Sequence, residues 1–196
     1  NNLLSLHDLA TSDDRDSATS QFSQFATYFG SNDYADEIMM SILDGGTPFV
    51  NASSSQYANA GVGTLKYMVL YMASLSKFYK AVEVCIAGGP NATDTSVSLW
   101  DQGVAFFIGS IEGSEIGGRD GGQLFFGTNK ALCSKFNTCS ESHNAEVNEA
   151  LLTAFAIGSD FLTLDECDEA EAQLEQIIVP GMPATLIQGT LDAAAV

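Results

Sequence analysis

The sequence predicts an all-α protein, a compact multi-helix bundle with long loops, stabilised by disulfides. Apolar residues recur at helical spacing along most of the 196 residues, and no alternating apolar–polar run reads as a strand. A hydrophobic content of 45% is enough for a core that needs no metal to form. No linker divides the chain, so residues 1–196 read as a single helical module.

The elements follow in order. Ser17 to Phe29 sets Phe22, Phe25 and Phe29 on one stripe, and Gly30 ends it. Asn32 or Asp33 is placed to cap a helix carrying Tyr34, Ile38, Ile42 and Leu43, which Asp44-Gly45-Gly46 stops. The Ser- and Asn-rich stretch 47–60 reads as loop. Thr64 to Ala87 is the most hydrophobic helix. Leu65, Met68, Met72, Leu75, Tyr79 and Val82 line one stripe, and Tyr67, Tyr71 and Phe78 a second. Two apolar faces predict packing from two sides.

After the turn GGPNATDTS, Asp94 or Ser96 is placed to cap a helix with Trp100, Val104, Phe107 and Ile111. Leu124 to Phe136 predicts a short helix, and Ser140 or Ser142 the start of one through Val147, Leu151 and Phe155. Thr163-x-x-Glu166 matches a capping box for the acidic helix reaching Ile178. Pro180 and Pro183 separate that helix from a last one, Ala184 to Ala195.

Charge narrows the function. Twenty-five acids against seven bases leave −18, a field that repels phosphate backbones and acidic membranes. Nucleic acid is therefore not an expected partner. A solvated acidic surface explains the charge, and attraction of cations is the functional alternative. No signal peptide and no long apolar span appears, so the expectation is a mature soluble segment without a transmembrane span.

Cys85, Cys133, Cys139 and Cys167 form an even set without a zinc-type CxxC spacing. Two disulfides are expected, with three connectivities open. Asn51-Ala-Ser53 and Asn91-Ala-Thr93 are glycosylation sequons in turn-like contexts. Cysteine pairs and sequons together point to a secreted, extracellular or cell-surface setting.

The stretch WDQGVAFFIGSIEGSEIGGRDGGQLF, residues 100–125, holds the candidate site. Asp101 and Glu112 lie eleven positions apart, about 16 Å along a straight helix, too far to share one metal. A bend at Gly109 and Gly113 would turn Glu112 inward; two solvated acids are the plainer alternative. Arg119, in GGRDGG, pairs a fixed charge with glycine N–H groups able to hold an anion. A mobile decorated loop explains the same residues. His143 and Glu146 stand at i,i+3, a spacing that presents two ligands to one cation on a first helical turn. A surface histidine near a cap accounts for them equally. Tyr67 and Tyr71 could offer phenolates to a ferric ion, although core tyrosines fit that apolar helix as well. No nucleophile elbow, HExxH, P-loop or dinucleotide glycine pattern occurs, and no enzyme activity is expected.

Several phrases align with one family. They are Tyr34-Ala-Asp-Glu…Asp44-Gly45, the Tyr67 to Cys85 helix, Trp100-Asp101-x-Gly103-Val-Ala-Phe106…Gly109-Ser110-x-Glu112-Gly113, Cys133-x-x-Phe136-x-Thr138-Cys139, and Leu186-Ile187-Gln188-Gly189-Thr190-Leu191. From about residue 25 to 192 the chain resembles the low-iron-induced periplasmic iron-assimilation proteins and phytotransferrins of marine microalgae. That resemblance implies a helical cell-surface module, often one copy of several in a tandem-repeat polypeptide, with further copies as partners. It also implies capture of a metal cation, Fe(III), with carbonate as synergistic anion. Asp101, Glu112 and Arg119 have the residue types such a site needs, with His143 and Glu146 as further metal candidates. The chain departs from the family where its final motif runs into Asp192-Ala-Ala-Ala. A structural surface glycoprotein on the same scaffold is the alternative.

Overall fold

A computed structural model describes residues 6–11, 19–109 and 124–194. Among them there is no strand, only one isolated antiparallel bridge between Cys139 and Ala145. The all-α expectation holds. Backbone contacts divide the chain into two compact units, Asn1–Ser76 and Lys77–Val196.

The first unit contains α1 (Leu6–Thr11), α2 (Thr19–Phe29), α3 (Tyr34–Asp44), α4 (Ser54–Thr64), a π-helical turn at Leu65–Leu70, and the start of α5 (Tyr71–Ala87). The predicted phenylalanine stripe of α2 has one target. Phe22, Phe25 and Phe29 approach the Tyr34 ring at centroid distances of 6.0, 5.8 and 5.3 Å. Tyr34 is buried as a result. Gly45 ends α3 in the left-handed region at φ +66°, where a Cβ is costly, and the Gly46 N–H closes the end onto the Ser41 carbonyl at 2.9 Å.

Residues 47–60 are not all loop, because α4 begins at Ser54. Ser53 Oγ accepts from the Gln56 N–H at 3.3 Å, and Gln56 Oε1 accepts from the Ser53 N–H at 2.8 Å. This reciprocal pair satisfies two otherwise orphaned donors and nucleates a helix that its polar composition conceals. From there α4, the π-helical turn and α5 run on without a break. At the π-helical turn the Tyr71 N–H reaches back five residues to the Lys66 carbonyl. Val69 to Ser76 are buried without interruption, in keeping with the two apolar faces.

The second unit holds the rest of α5, then α6 (Ala92–Ile108), α7 (Leu124–Phe136), α8 (Glu146–Thr163), α9 (Cys167–Gln173), a π-helical turn at Leu174–Ile178, α10 (Val179–Gly181) and α11 (Pro183–Ala194). Its core is a chain of rings. Phe78 meets Trp100 edge-on at 4.8 Å and stacks on Phe155 at 5.2 Å. Phe107 then joins Phe155 at 5.7 Å and Phe125 at 5.1 Å. Such offset and edge contacts add to the gain from burial alone. Glycines make room for the rings: a Cβ at Gly158 would lie 2.1 Å from Trp100 Cζ2, and one at Gly103 2.9 Å from the Phe78 ring.

Asp33 occupies the N-cap of α3 but makes no side-chain capping bond, and three other predicted caps do not form. Asn91, at φ +64°, precedes α6 without a side-chain capping bond, so neither Asp94 nor Ser96 starts that helix. Thr163 is the last residue of α8 and donates its hydroxyl to the Ser159 carbonyl at 2.9 Å, which removes it from a capping box with Glu166. Helix α8 starts at Glu146, later than Ser140 or Ser142. Pro180 follows the π-helical turn directly, and the helical run from α9 continues through it instead of ending there.

The cysteines settle into Cys85–Cys167 and Cys133–Cys139, and no cysteine is free among the described residues. No described helix is long and apolar enough to cross a membrane.

Candidate functional site

Helix α6 is two-sided, and its sides differ in chemistry. Trp100, Gly103 and Phe107 face the ring core, where the indole Nε1–H donates to the Phe155 carbonyl at 2.9 Å. On the other side Asp94, Val97, Ser98, Asp101, Gln102 and Ala105 recur at one-turn spacing. With Thr93 and Thr163 they line an open hollow of about 630 Å³. Its polar groups are carboxylates, an amide and hydroxyls, the hard oxygen donors that suit a hard cation. Asp94 and Asp101 are both exposed. Seven residues of helix separate them by about 10 Å, so the two carboxylates do not chelate one ion by themselves.

Helix α6 stops at Ile108, with Gly109 at φ +70° and its N–H on the Ala105 carbonyl at 2.9 Å. Glu112, Gly113 and Arg119 lie outside the described residues.

His143 and Glu146 do not share a helical turn. His143 sits at φ +60° in the tight loop before α8, and Glu146 is the first residue of that helix. The loop is closed by the Ser140 N–H on the Asn144 carbonyl at 2.7 Å and the Glu146 N–H on the Thr138 carbonyl at 3.0 Å. The Cys133–Cys139 bridge staples its entry. The Ser140 and Ser142 hydroxyls donate to Glu149 Oε1 at 2.6 and 2.5 Å, which holds that carboxyl below its usual range. With Ala145 at the N-cap of α8, these serines lie ahead of the helix and do not cap it. Beneath the loop, buried Asn129 donates to Asn148 Oδ1 at 2.9 Å, and Asn148 donates to the Phe126 carbonyl. The closing helix docks beside it through Gln188 to Thr138 Oγ1 at 3.2 Å and Lys135 to Asp192 at 2.5 Å. Asp192 thus has an ion-pair partner.

Tyr71 is a core residue. Burial pushes its phenol up to about 12, so the proton stays on. Asn51 and Asn91 are exposed in left-handed turns, at φ +68° and +64°.

Two other hollows matter. One, of about 760 Å³ between α3 and α4, is lined chiefly by Met39, Ile42, Leu43, Ala58, Val62 and Leu65, with Asp44 as its one carboxylate. The other, of about 770 Å³, lies beside the Cys85–Cys167 bridge and is walled by Asp165, Glu166, Asp168 and Glu169. Sequence reasoning passed over Asp165. Its signal was proximity to Cys167, which acquires meaning only when Cys85 arrives from α5.

The chain matches no family model, no curated protein and no solved structure.

Proposed function

We propose that this chain is an extracellular or cell-surface module that captures ferric iron, with carbonate as synergistic anion and without enzymatic turnover. The observation that carries the reading is the setting of Asp101. It is exposed on the side of α6 that also carries Asp94, Ser98 and Gln102, eight residues before Gly109 stops the helix. Glu112 follows that glycine by three positions and Arg119 by ten, supplying a further hard ligand and a cationic anion partner in the same run. The charge of −18 favours approach of a cation, and the family likeness points the same way.

Ferric nitrilotriacetate titrated by equilibrium dialysis, with and without bicarbonate, tests this. Saturable, bicarbonate-dependent uptake is expected, weakened at least about tenfold by Asp101→Ala, Glu112→Ala or Arg119→Ala. Absence of uptake in both buffers rejects the proposal.

A structural surface glycoprotein is the second reading, favoured by the exposure of both sequon asparagines. Secreted protein should then lose mass at Asn51 and Asn91 on endoglycosidase treatment. Unmodified asparagine at both positions argues against it.

A further inference from the structure

The Cys85–Cys167 bridge is more than a crosslink in its surroundings. Cys85 Sγ, Cys167 Sγ and a carboxylate oxygen of Asp165 all lie within 4.8 Å of one another, the one such ligand group among the described residues. Asp165 Oδ1 is 4.0 Å from Cys167 Sγ. We propose that, once this disulfide is reduced, Cys85, Cys167 and Asp165 form a binding site for a thiophilic divalent cation of the zinc type.

The distances fit that chemistry. Zinc–thiolate bonds of about 2.3 Å in a tetrahedral site set two sulfurs about 3.7 Å apart and a sulfur and an oxygen about 3.5 Å apart. A Cα separation of 5.6 Å lets the sulfurs open to that spacing by side-chain rotation. Asp165 Oδ1, at 4.0 Å from Cys167 Sγ, is already about 0.5 Å from the sulfur–oxygen spacing such a site sets to that sulfur.

The supports do not depend on the bridge alone. Cys85 is held in α5 and is 3% exposed. The turn carrying Asp165 is fixed by its own backbone bonds, Asp165 N–H to the Leu162 carbonyl at 3.2 Å and Glu166 N–H to the Phe161 carbonyl at 2.9 Å. Access is open on one side, because Cys167 is half-buried and both cysteines line the hollow of about 770 Å³. Glu166, Asp168 and Glu169 on its wall concentrate cations, and water completes the fourth position.

The chemistry balances with a phosphine as reductant. Phosphorus gives two electrons to the S–S bond and takes oxygen from water, whose two protons end on the thiols. The divalent cation then displaces both thiol protons. Oxidised protein has no thiolate to offer, so this site belongs to the reduced state and is separate from the ferric reading on α6.

Cobalt(II) is the probe. Phosphine-reduced protein, freed of reductant without air and checked for helicity by circular dichroism, is titrated with it. One equivalent should bind, giving sulfur-to-metal charge-transfer absorption that oxidised protein lacks. The signal should persist in Cys133→Ser/Cys139→Ser protein and vanish in Cys85→Ser/Cys167→Ser protein. Asp165→Asn should weaken binding at least about tenfold. A signal that survives loss of Cys85 and Cys167, an affinity indifferent to Asp165, or helical reduced protein that binds no cobalt would each overturn the proposal. Loss of helicity on reduction overturns it too, since the site needs α5 and α9 in place.

Discussion

Trp100→Ala is expected to lower the free energy of unfolding by about 4 kcal/mol, measured by urea denaturation followed by circular dichroism. The side chain is fully buried, touches Phe78, and lies against Gly158 of α8. Truncation opens a cavity and leaves the Phe155 carbonyl without its donor. Trp100→Phe keeps most of the ring but not the N–H, and should cost about 1–2 kcal/mol. Gly158→Ala separates two effects of opposite sign. Alanine favours a helix interior by about 1 kcal/mol, while overpacking costs about 1–3 kcal/mol or more. Here the added Cβ would meet Trp100 at 2.1 Å, so the clash wins and a net loss of about 2 kcal/mol is expected. At Gly181 the nearest atom is the end of the flexible Leu151 side chain at 2.9 Å, and alanine there should be close to neutral. Equal costs at Gly158 and Gly181 would contradict this account of the ring core.

The second large effect concerns the disulfides. Cys85–Cys167 spans 82 positions and Cys133–Cys139 only 6. Loop-closure entropy assigns the long bridge about 4.5 kcal/mol and the short one about 2.4 kcal/mol. Cys85→Ala/Cys167→Ala should therefore lower the urea midpoint roughly twice as far as Cys133→Ala/Cys139→Ala. The reverse order would show that the short bridge acts chiefly on the folded state, by pinning the Thr138–Glu146 loop.

What the sequence made legible follows from the range of each interaction. Periodicity within one helix disclosed the Phe22, Phe25 and Phe29 stripe, the stop at Gly45 and the two-faced burial around Tyr71. All of these depend on neighbours within a few turns. Capping was read less well, because a hydroxyl has several possible partners. Thr163 turned back onto Ser159, and Ser140 and Ser142 went to Glu149. The α4 helix was missed for the opposite reason, its Ser53–Gln56 capping box being hidden in a polar stretch. Pairing of Cys85 with Cys167 and of Gly158 with Trp100 joins residues far apart in the chain, and no local pattern encodes it. Of the candidate site, the types and order of Asp101, Gly109, Glu112 and Arg119 were legible. The neighbourhood of Asp101, with Thr163 brought in from α8, needed three dimensions.

The long bridge also has a mechanical meaning. Pulled from its two ends, the chain would carry tension through the Cys85–Cys167 bond and bypass the segment between them. At about 3.4 Å per extended residue, some 28 nm of contour is thereby withheld from stretching. Helices α6, α7 and α8 ride inside that shunt, unloaded until the sulfurs part.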